Sequence, residues 1–382
     1  MLCVLAVGCA PARREARPLV RDQVELTPTI KTTTTTSTTE APATTTTAPP
    51  PAPETFMPSA PPRPAKPAAT TTSTPSPTWA PVPTAPTAPP PTQPPTTTAP
   101  APAWTPAPAP VPVDSLTPYR GLGTWASLYK WSPTVAKSSN PDVGPAAVDR
   151  MASLGVQTLF IQTAFADSQV AVVDQDLLVA LINRAHARGM RAVVWYLPTL
   201  VDTNRDMWHL MAAAALPADG LAVDVEARNV QDVNDRNQRL VGLSSALRQS
   251  LPGRVIGAIV LPPVLLDVVN PNYWPNFPWK QLAPYYDVWL PMSYWTGRLT
   301  TSPYKDGYRY TFDDIQLLRD ANHLDQPSAP VHTIGGTSDQ VVATDVDGMV
   351  RAAAEQGAMG GSLYDYHETK DDIWPHLMPL RA

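Results

Sequence analysis

Asp219-Gly220-Leu221-Ala222-Val223-Asp224-Val225-Glu226 reads as a buried strand that ends in two carboxylates. Side chains alternate along a strand, so Ala222, Asp224 and Glu226 share one face while Leu221, Val223 and Val225 share the other. An apolar set on one face and small or carboxylate side chains on the other leave no ordinary solvent face. That pattern fits a parallel strand covered on one side by helices and on the other by its own sheet. A long amphipathic pattern, 230–250, follows at once, so the local unit is strand then helix.

Working outward, the same unit recurs on both sides. Strand candidates fall at 119–126, 156–163, 191–197, 220–226, 254–261, 287–294, 330–336 and 360–366. Helix patterns occupy most gaps, at 145–154, 174–188, 205–215, 230–250, 312–322 and 343–356, with apolar residues three and four apart. The fifth unit is the weakest. Its loop, 270–279, is rich in Pro and Trp and leaves room for only a short helix before Tyr286. Eight such units over 115–382 predict an α/β fold, a (β/α)8 TIM barrel. A doubly wound open sheet is the alternative, and the lack of a Gly-rich phosphate loop after the first strand counts against it.

The chain before the barrel is of another kind. Of 382 residues 48 are proline and only 16% are charged, which is too little packing material for the whole chain to fold. The prolines concentrate in a Thr/Pro/Ala-rich segment, 10–114, with no apolar periodicity; it is expected to be disordered, with polyproline II character. At about 3.1 Å per residue such a stalk reaches roughly 200 Å or more when extended. Residues 1–9 end in Leu5-Ala6-Val7-Gly8-Cys9, which resembles the cleavage site of a bacterial lipoprotein signal. The resemblance implies a lipid on Cys9, a membrane as partner and an exported domain held at the cell surface or envelope. No Lys or Arg precedes the apolar run, which fits a start codon assigned too late. Both cysteines, Cys3 and Cys9, lie in this segment, so the barrel has neither a disulfide nor a thiolate metal site. A net charge of -5 with scattered Lys and Arg argues against nucleic acid as a partner.

In a barrel of this kind the chemistry sits at the carboxyl ends of the strands. Asp224 and Glu226 lie there, and each raises the other's proton affinity, as in an acid kept protonated near neutral pH. The structural alternative is a buried ion pair or network with Arg228 or a loop donor. The fourth-strand motif, Asp-Gly-Leu-Ala-Val-Asp-Val-Glu, resembles that of glycoside hydrolase family 18, the chitinases and endo-N-acetylglucosaminidases, which carries Asp-Gly-x-Asp-x-Asp-x-Glu. Ala222 replaces the middle Asp. The sixth strand, Asp287-Val-Trp-Leu-Pro-Met292-Ser-Tyr294, is similar to the family's Asp followed by Met-x-Tyr, with Trp295 next. The eighth, Gly360-Gly361-Ser362-Leu363-Tyr364-Asp365, is similar to its Gly-Gly-x-Met-x-Trp, with Asp365 in the tryptophan position. The third strand ends in Trp195-Tyr196 rather than the family's Ser-x-Gly-Gly.

The resemblance implies that Glu226 is the general acid, and that Asp224 and Tyr294 hold a substrate N-acetyl group that itself attacks the anomeric carbon. Asp365 offers another arrangement, in which it pairs with Glu226 in an ordinary retaining or inverting reaction. Aromatic side chains gather at the same strand ends: Trp125, Trp131, Trp195, Tyr196, Tyr273, Trp274, Tyr294, Trp295, Tyr364 and Tyr366. Of these, Trp125, Trp195, Tyr196, Trp295 and Tyr364, with Met292, are the expected substrate contacts, because sugar rings pack their C–H faces on aromatic rings. Asp167 and Gln162 are further candidates for substrate hydroxyls, and Asp202 with Asn204 reads as a helix cap. His332, His367, Asp339 and Asp365 have no spacing that marks a metal site, and neither metal nor cofactor is expected.

Two functions fit these expectations. One is a surface-tethered glycoside hydrolase acting on an extracellular or cell-wall polysaccharide; the other is a non-catalytic carbohydrate-binding barrel. An ester or amide hydrolase would need a Gly-x-Ser-x-Gly elbow or a barrel cysteine, and the sequence has neither.

Overall fold

The computed structural model describes residues 116–382, so the expectations for 1–9, for Cys9 and for the 10–114 segment lie outside the described residues. Eight parallel strands close into a barrel in sequence order: β1 (Gly121–Ala126), β2 (Thr158–Gln162), β3 (Arg191–Tyr196), β4 (Gly220–Val225), β5 (Ile256–Val260), β6 (Val288–Ser293), β7 (His332–Thr337) and β8 (Gly360–Tyr364). Helices return the chain on the outside: α1 (Pro145–Ser153), α2 (Gln175–Ala187), α3 (Thr203–Ala214), α4 (Val233–Ser250), α5 (Trp279–Leu282), α6 (Gly307–Arg319), α7 (Ala343–Glu355) and α8 (Trp374–Leu377). The expected (β/α)8 TIM barrel is therefore the fold.

Where helices begin is decided by their caps. The carboxylates of Asp202, Asp232 and Asp306 accept the backbone N–H groups of Arg205, Asp235 and Arg309, starting α3, α4 and α6. Each satisfies a donor that the first helical turn leaves without a partner. The Asp306 cap starts α6 five residues before the 312 expected from apolar spacing, and the Asp232 cap starts α4 three residues after the expected 230. The fifth unit is short, as expected. Pro271, Pro275 and Pro278 remove backbone donors ahead of α5, and Pro284 falls in the 3-10 turn that closes it.

The first strand starts two residues later than its apolar pattern, because Thr117–Tyr119 forms a 3-10 turn that carries Tyr119 beneath the barrel. The Tyr119 hydroxyl donates to the Leu221 carbonyl at 2.5 Å. Its ring has room only because β5 carries glycine: a Cβ on Gly257 would come within 2.9 Å of Tyr119 Cε1 and 2.8 Å of Leu290 Cδ1. Tyr119 is fully buried, so the amino-terminal end of the barrel is stoppered.

Register fixes which side chains fill the interior. Trp125 stands opposite Phe160, Gln162 opposite Trp195, Trp195 opposite Ala222, Asp224 opposite Ile259, and Met292 opposite Ile334. Neighbours in a parallel ladder share a face, so these residues all point inward.

Candidate active site

Asp224 is the last inward side chain of β4, 6% exposed, and Glu226 lies one alternation further, partly exposed at the mouth. Among the described residues, Asp224 Oδ1 is buried without a hydrogen-bond partner. Burial, and then the charge of Glu226, holds the Asp224 carboxyl well above the usual carboxylate range. Burial pushes Glu226 up to about 7. Both effects disfavour the charged forms, so the pair keeps at least one proton near neutrality.

Two tyrosines close over this pair. Tyr294 follows β6 and is 4% exposed; burial, then Tyr364 and the carboxylates of Glu226, Asp224 and Asp365, raise its proton affinity well above the ordinary phenol value. Tyr364 ends β8, partly exposed, with its ring 6.4 Å from that of Tyr294 and 6.3 Å from that of Trp125. It also lies in the field of Asp365, Asp224 and Glu226. Glu226, Asp224, Tyr294 and Tyr364, drawn from three strands, are thus brought together.

The floor beneath them is aromatic. Trp125 stacks on Phe160 at 4.3 Å and meets Trp195 edge-on at 6.0 Å. Trp195 is 4% exposed, and its Nε1 is buried with no hydrogen-bond partner among the described residues. Met292 points into the same interior, 4% exposed. The Trp125 indole donates to Ser362 Oγ at 2.8 Å. His332 lies 3.0 Å from the same oxygen through Nε2 and 2.8 Å from the Tyr119 carbonyl through Nδ1. A carbonyl only accepts, so Nδ1 carries the proton, Nε2 accepts, and the Ser362 hydroxyl donates to it. Burial pushes His332 down to about 4, so it is neutral. With both nitrogens engaged inside the barrel it does not join His367, which is exposed and faces Asp142.

Asp365 follows β8 after a cis Tyr364–Asp365 peptide. It is 3% exposed, and burial pushes it up to about 6. Its Oδ1 accepts the Glu368 backbone N–H at 3.1 Å, and its carbonyl accepts from Thr369 and Ser338, so it shapes the turn after β8.

Two expected substrate contacts are corrected. Tyr196 lies one residue beyond inward-facing Trp195 and therefore points to the helices. It is fully buried, stacks on His209 at 4.9 Å and donates to Asp206 Oδ1 at 2.7 Å. Trp295 follows inward-facing Tyr294 and is also fully buried, behind β7: a Cβ on Gly335 would come within 2.8 Å of its ring. Neither ring reaches the mouth.

Several secondary candidates are placed as follows. Trp131 is buried and donates to the Gln162 carbonyl, while the Gln162 side chain accepts the Leu128 N–H. Trp274 is buried and donates to Asn237 Oδ1. Tyr366 packs near Trp374, and Asp167 is exposed in the loop after β2.

Three residues gain weight from the structure. Ser362 and His332 set the orientation of the floor. Arg228, two residues past Glu226, lays its guanidinium 4.0 Å over the Tyr273 ring, and the Tyr273 hydroxyl lies in the field of both Arg228 and Glu226. Ser362 had a signal, since it shares the inward parity of Tyr364; the meeting of the loops after β4 and β5 had none.

No protein-family model matches the chain, and no curated protein matches it. Solved structures do. The chain is similar to the C-terminal domain of a "putative chitinase" from Desulfitobacterium hafniense DCB-2, at 12% identity over 68% of this chain and 98% of that one, with a TM-score of 0.51. It is also similar to the spore cortex-lytic enzyme SleL of Bacillus cereus, at 10% identity over 69% and 74% of the two chains, with a TM-score of 0.50. At such identities the likeness establishes the shared barrel.

Proposed function

We propose that the barrel is a glycoside hydrolase, that its substrate is an extracellular or cell-wall polysaccharide, and that Glu226 is its general acid. The observation that carries this reading is the Asp224–Glu226 pair at the carboxyl end of β4, with Glu226 pushed up to about 7 and Asp224 Oδ1 buried without a partner. A carboxyl protonated near neutral pH at a solvent-accessible mouth is suited to protonating a leaving glycosidic oxygen. The fold similarity to a "putative chitinase" and a spore cortex-lytic enzyme is consistent with a carbohydrate substrate.

The motif resemblance supplies the rest of the mechanism. The substrate's acetamido N–H donates to Asp224 Oδ1, which favours the ionised form of that carboxyl. The acetamido oxygen, held by the Tyr294 hydroxyl, attacks the anomeric carbon as Glu226 passes its proton to the leaving oxygen. Water then opens the cyclic intermediate, and Glu226, now a carboxylate, takes the water's proton. The Trp125, Trp195 and Tyr364 rings and Met292 form the sugar-binding floor. In the competing arrangement Asp365 is the second carboxyl of an ordinary two-carboxylate reaction. Asp365→Asn separates the two, since only in that arrangement does it remove turnover. The Cys9 lipid and the 10–114 segment would tether the enzyme at the cell surface, with the membrane as their partner.

The test is release of reducing ends by the full chain from chitin oligomers, peptidoglycan and galactosaminogalactan-like polymers, beside Glu226→Gln. Release that vanishes in the variant upholds the reading. No release from any polymer, with saturable binding that survives Glu226→Gln but weakens in Trp195→Ala, makes the barrel a carbohydrate-binding module instead.

A further inference from the structure

Two cations stand around Tyr273, whose hydroxyl also lies in the field of Glu226. Arg228 lies over Tyr273 with its Cζ 4.0 Å from the ring centroid, and its Nη1 donates to the Tyr273 carbonyl at 2.9 Å. Arg236, on the first turn of α4, lies over the next ring, Trp274, at 4.2 Å. Two guanidiniums therefore sit on consecutive aromatic residues of one loop. Like charges at such a spacing repel, and Arg236 bears the cost: burial, then Arg228, lowers its proton affinity. It is only 4% exposed, and its Nε is buried with no hydrogen-bond partner among the described residues.

Some arginines of the barrel are answered by carboxylates and others, Arg205, Arg254 and Arg319, by backbone carbonyls. Arg184 and Arg188 share Asp149, Arg248 pairs with Asp287, and Arg239, one turn along α4 from Arg236, pairs with Asp235. Among the described residues neither Arg228 nor Arg236 has a carboxylate oxygen within 4.0 Å. Glu226 acts on the same Tyr273 hydroxyl as they do, and burial pushes it up to about 7, so near neutrality it supplies only part of a negative charge. Positive charge is thus concentrated on the wall where a substrate would lie. Stacking on Tyr273 holds the exposed Arg228 guanidinium, which spends Nη1 on the Tyr273 carbonyl and keeps its remaining donors for an oxyanion. Arg236, buried and donating to the Val230 carbonyl at 3.3 Å, adds its charge from behind.

We infer that Arg228, with the charge of buried Arg236 behind it, forms an anion-recognition site on the rim near Glu226, and that the polysaccharide acted on carries an acidic substituent, a carboxylate or a phosphate, next to the bond that is cleaved. This rests on the glycosidase reading of the cleft and narrows its substrate class.

The experiment measures equilibrium binding by the full chain carrying Glu226→Gln, which leaves the polymers intact, and hydrolysis by the native chain on the same set. The probes are neutral chitin oligomers, peptide-free peptidoglycan glycan strands with free lactyl carboxylates, the same strands with those carboxylates amidated, and phosphorylated chitin oligomers. An acidic polymer should bind about tenfold more tightly than its neutral counterpart at low salt, with the gap closing as salt rises. A preference confined to free-carboxylate strands identifies a carboxylate, and one confined to phosphorylated chitin a phosphate. Adding Arg228→Ala should erase the gap; adding Arg351→Ala, an exposed cation on α7, should leave it, which separates a local site from net charge. Arg228→Gln serves as a second variant, with thermal unfolding showing that each is folded. Equal binding of acidic and neutral polymers, or a gap that persists without Arg228, overturns the inference. Hydrolysis of neutral chitin with no acid preference sinks this inference and spares the glycosidase. An Arg228-dependent preference with no hydrolysis of any probe upholds the anion site and overturns the glycosidase reading, together with the placement of the acidic group beside a cleaved bond.

Discussion

Two sets of buried polar groups sit one above the other inside the same barrel. At the floor, Trp125, Ser362, His332 and the Tyr119 carbonyl form a chain of hydrogen bonds in which each named donor meets an acceptor. At the mouth, Asp224 Oδ1 is equally hidden from water and has no partner among the described residues. Leaving a buried polar atom unmade costs about 1–3 kcal/mol, more for a charge, so the second arrangement is expensive where the first is not. A completed network is what stability alone would select. An incomplete one at the catalytic end of a barrel is what a site awaiting a polar ligand looks like.

The sharpest way to break this contrast is at the mouth. Glu226→Gln should lower turnover by about 10²–10⁴-fold, the range for losing a general acid, while far-ultraviolet circular dichroism stays native. Retained turnover would mean that the mouth is as structural as the floor. The floor should show the opposite signature. His332→Ala removes two buried hydrogen bonds and leaves a cavity under Phe160, whose ring lies 5.1 Å away, so stability should fall by about 2–5 kcal/mol in urea unfolding.

The pH dependence of stability gives a finer comparison. Glu226 is raised from 4.5 to about 7 in the folded chain, so its favourable contribution is complete below about pH 4.5 and is lost as pH climbs towards 7. Glu226→Gln should therefore gain on the native chain by roughly 2–3 kcal/mol at pH 8 and by nothing at pH 4. A constant offset across that range would show that burial does not perturb the carboxyl. The smallest effect is expected outside the barrel wall. Tyr196→Phe removes the bond to Asp206 and should cost about 1 kcal/mol of stability without altering turnover. A loss of turnover would return Tyr196 to the site.

Much of this was legible in the residues. Alternation in 219–226 fixed β4 and put Asp224 and Glu226 on one face, and the recurrence of the strand–helix unit gave the barrel. The same alternation, applied to Trp195-Tyr196 and to Tyr294-Trp295, already turns the second residue of each pair away from the interior; a preference for aromatic side chains near strand ends obscured it. Other features had no local signal. The floor network joins positions 119, 332 and 362, and the cationic wall joins the loops after β4 and β5. A period of two specifies a face, but loop trajectories depend on what they pack against. Helix starts shifted for a related reason, since Asp232 and Asp306 act through single backbone bonds that apolar spacing does not register.

The stopper formed by Tyr119 governs traffic. A barrel shut at one end has a single doorway, so whatever reaches Glu226 must arrive and depart through the same face. A long polymer then cannot be threaded through the centre and reeled along. On the glycosidase reading proposed above, it would rest across the rim and be cut where it dips inward, each piece lifting off before the next is admitted.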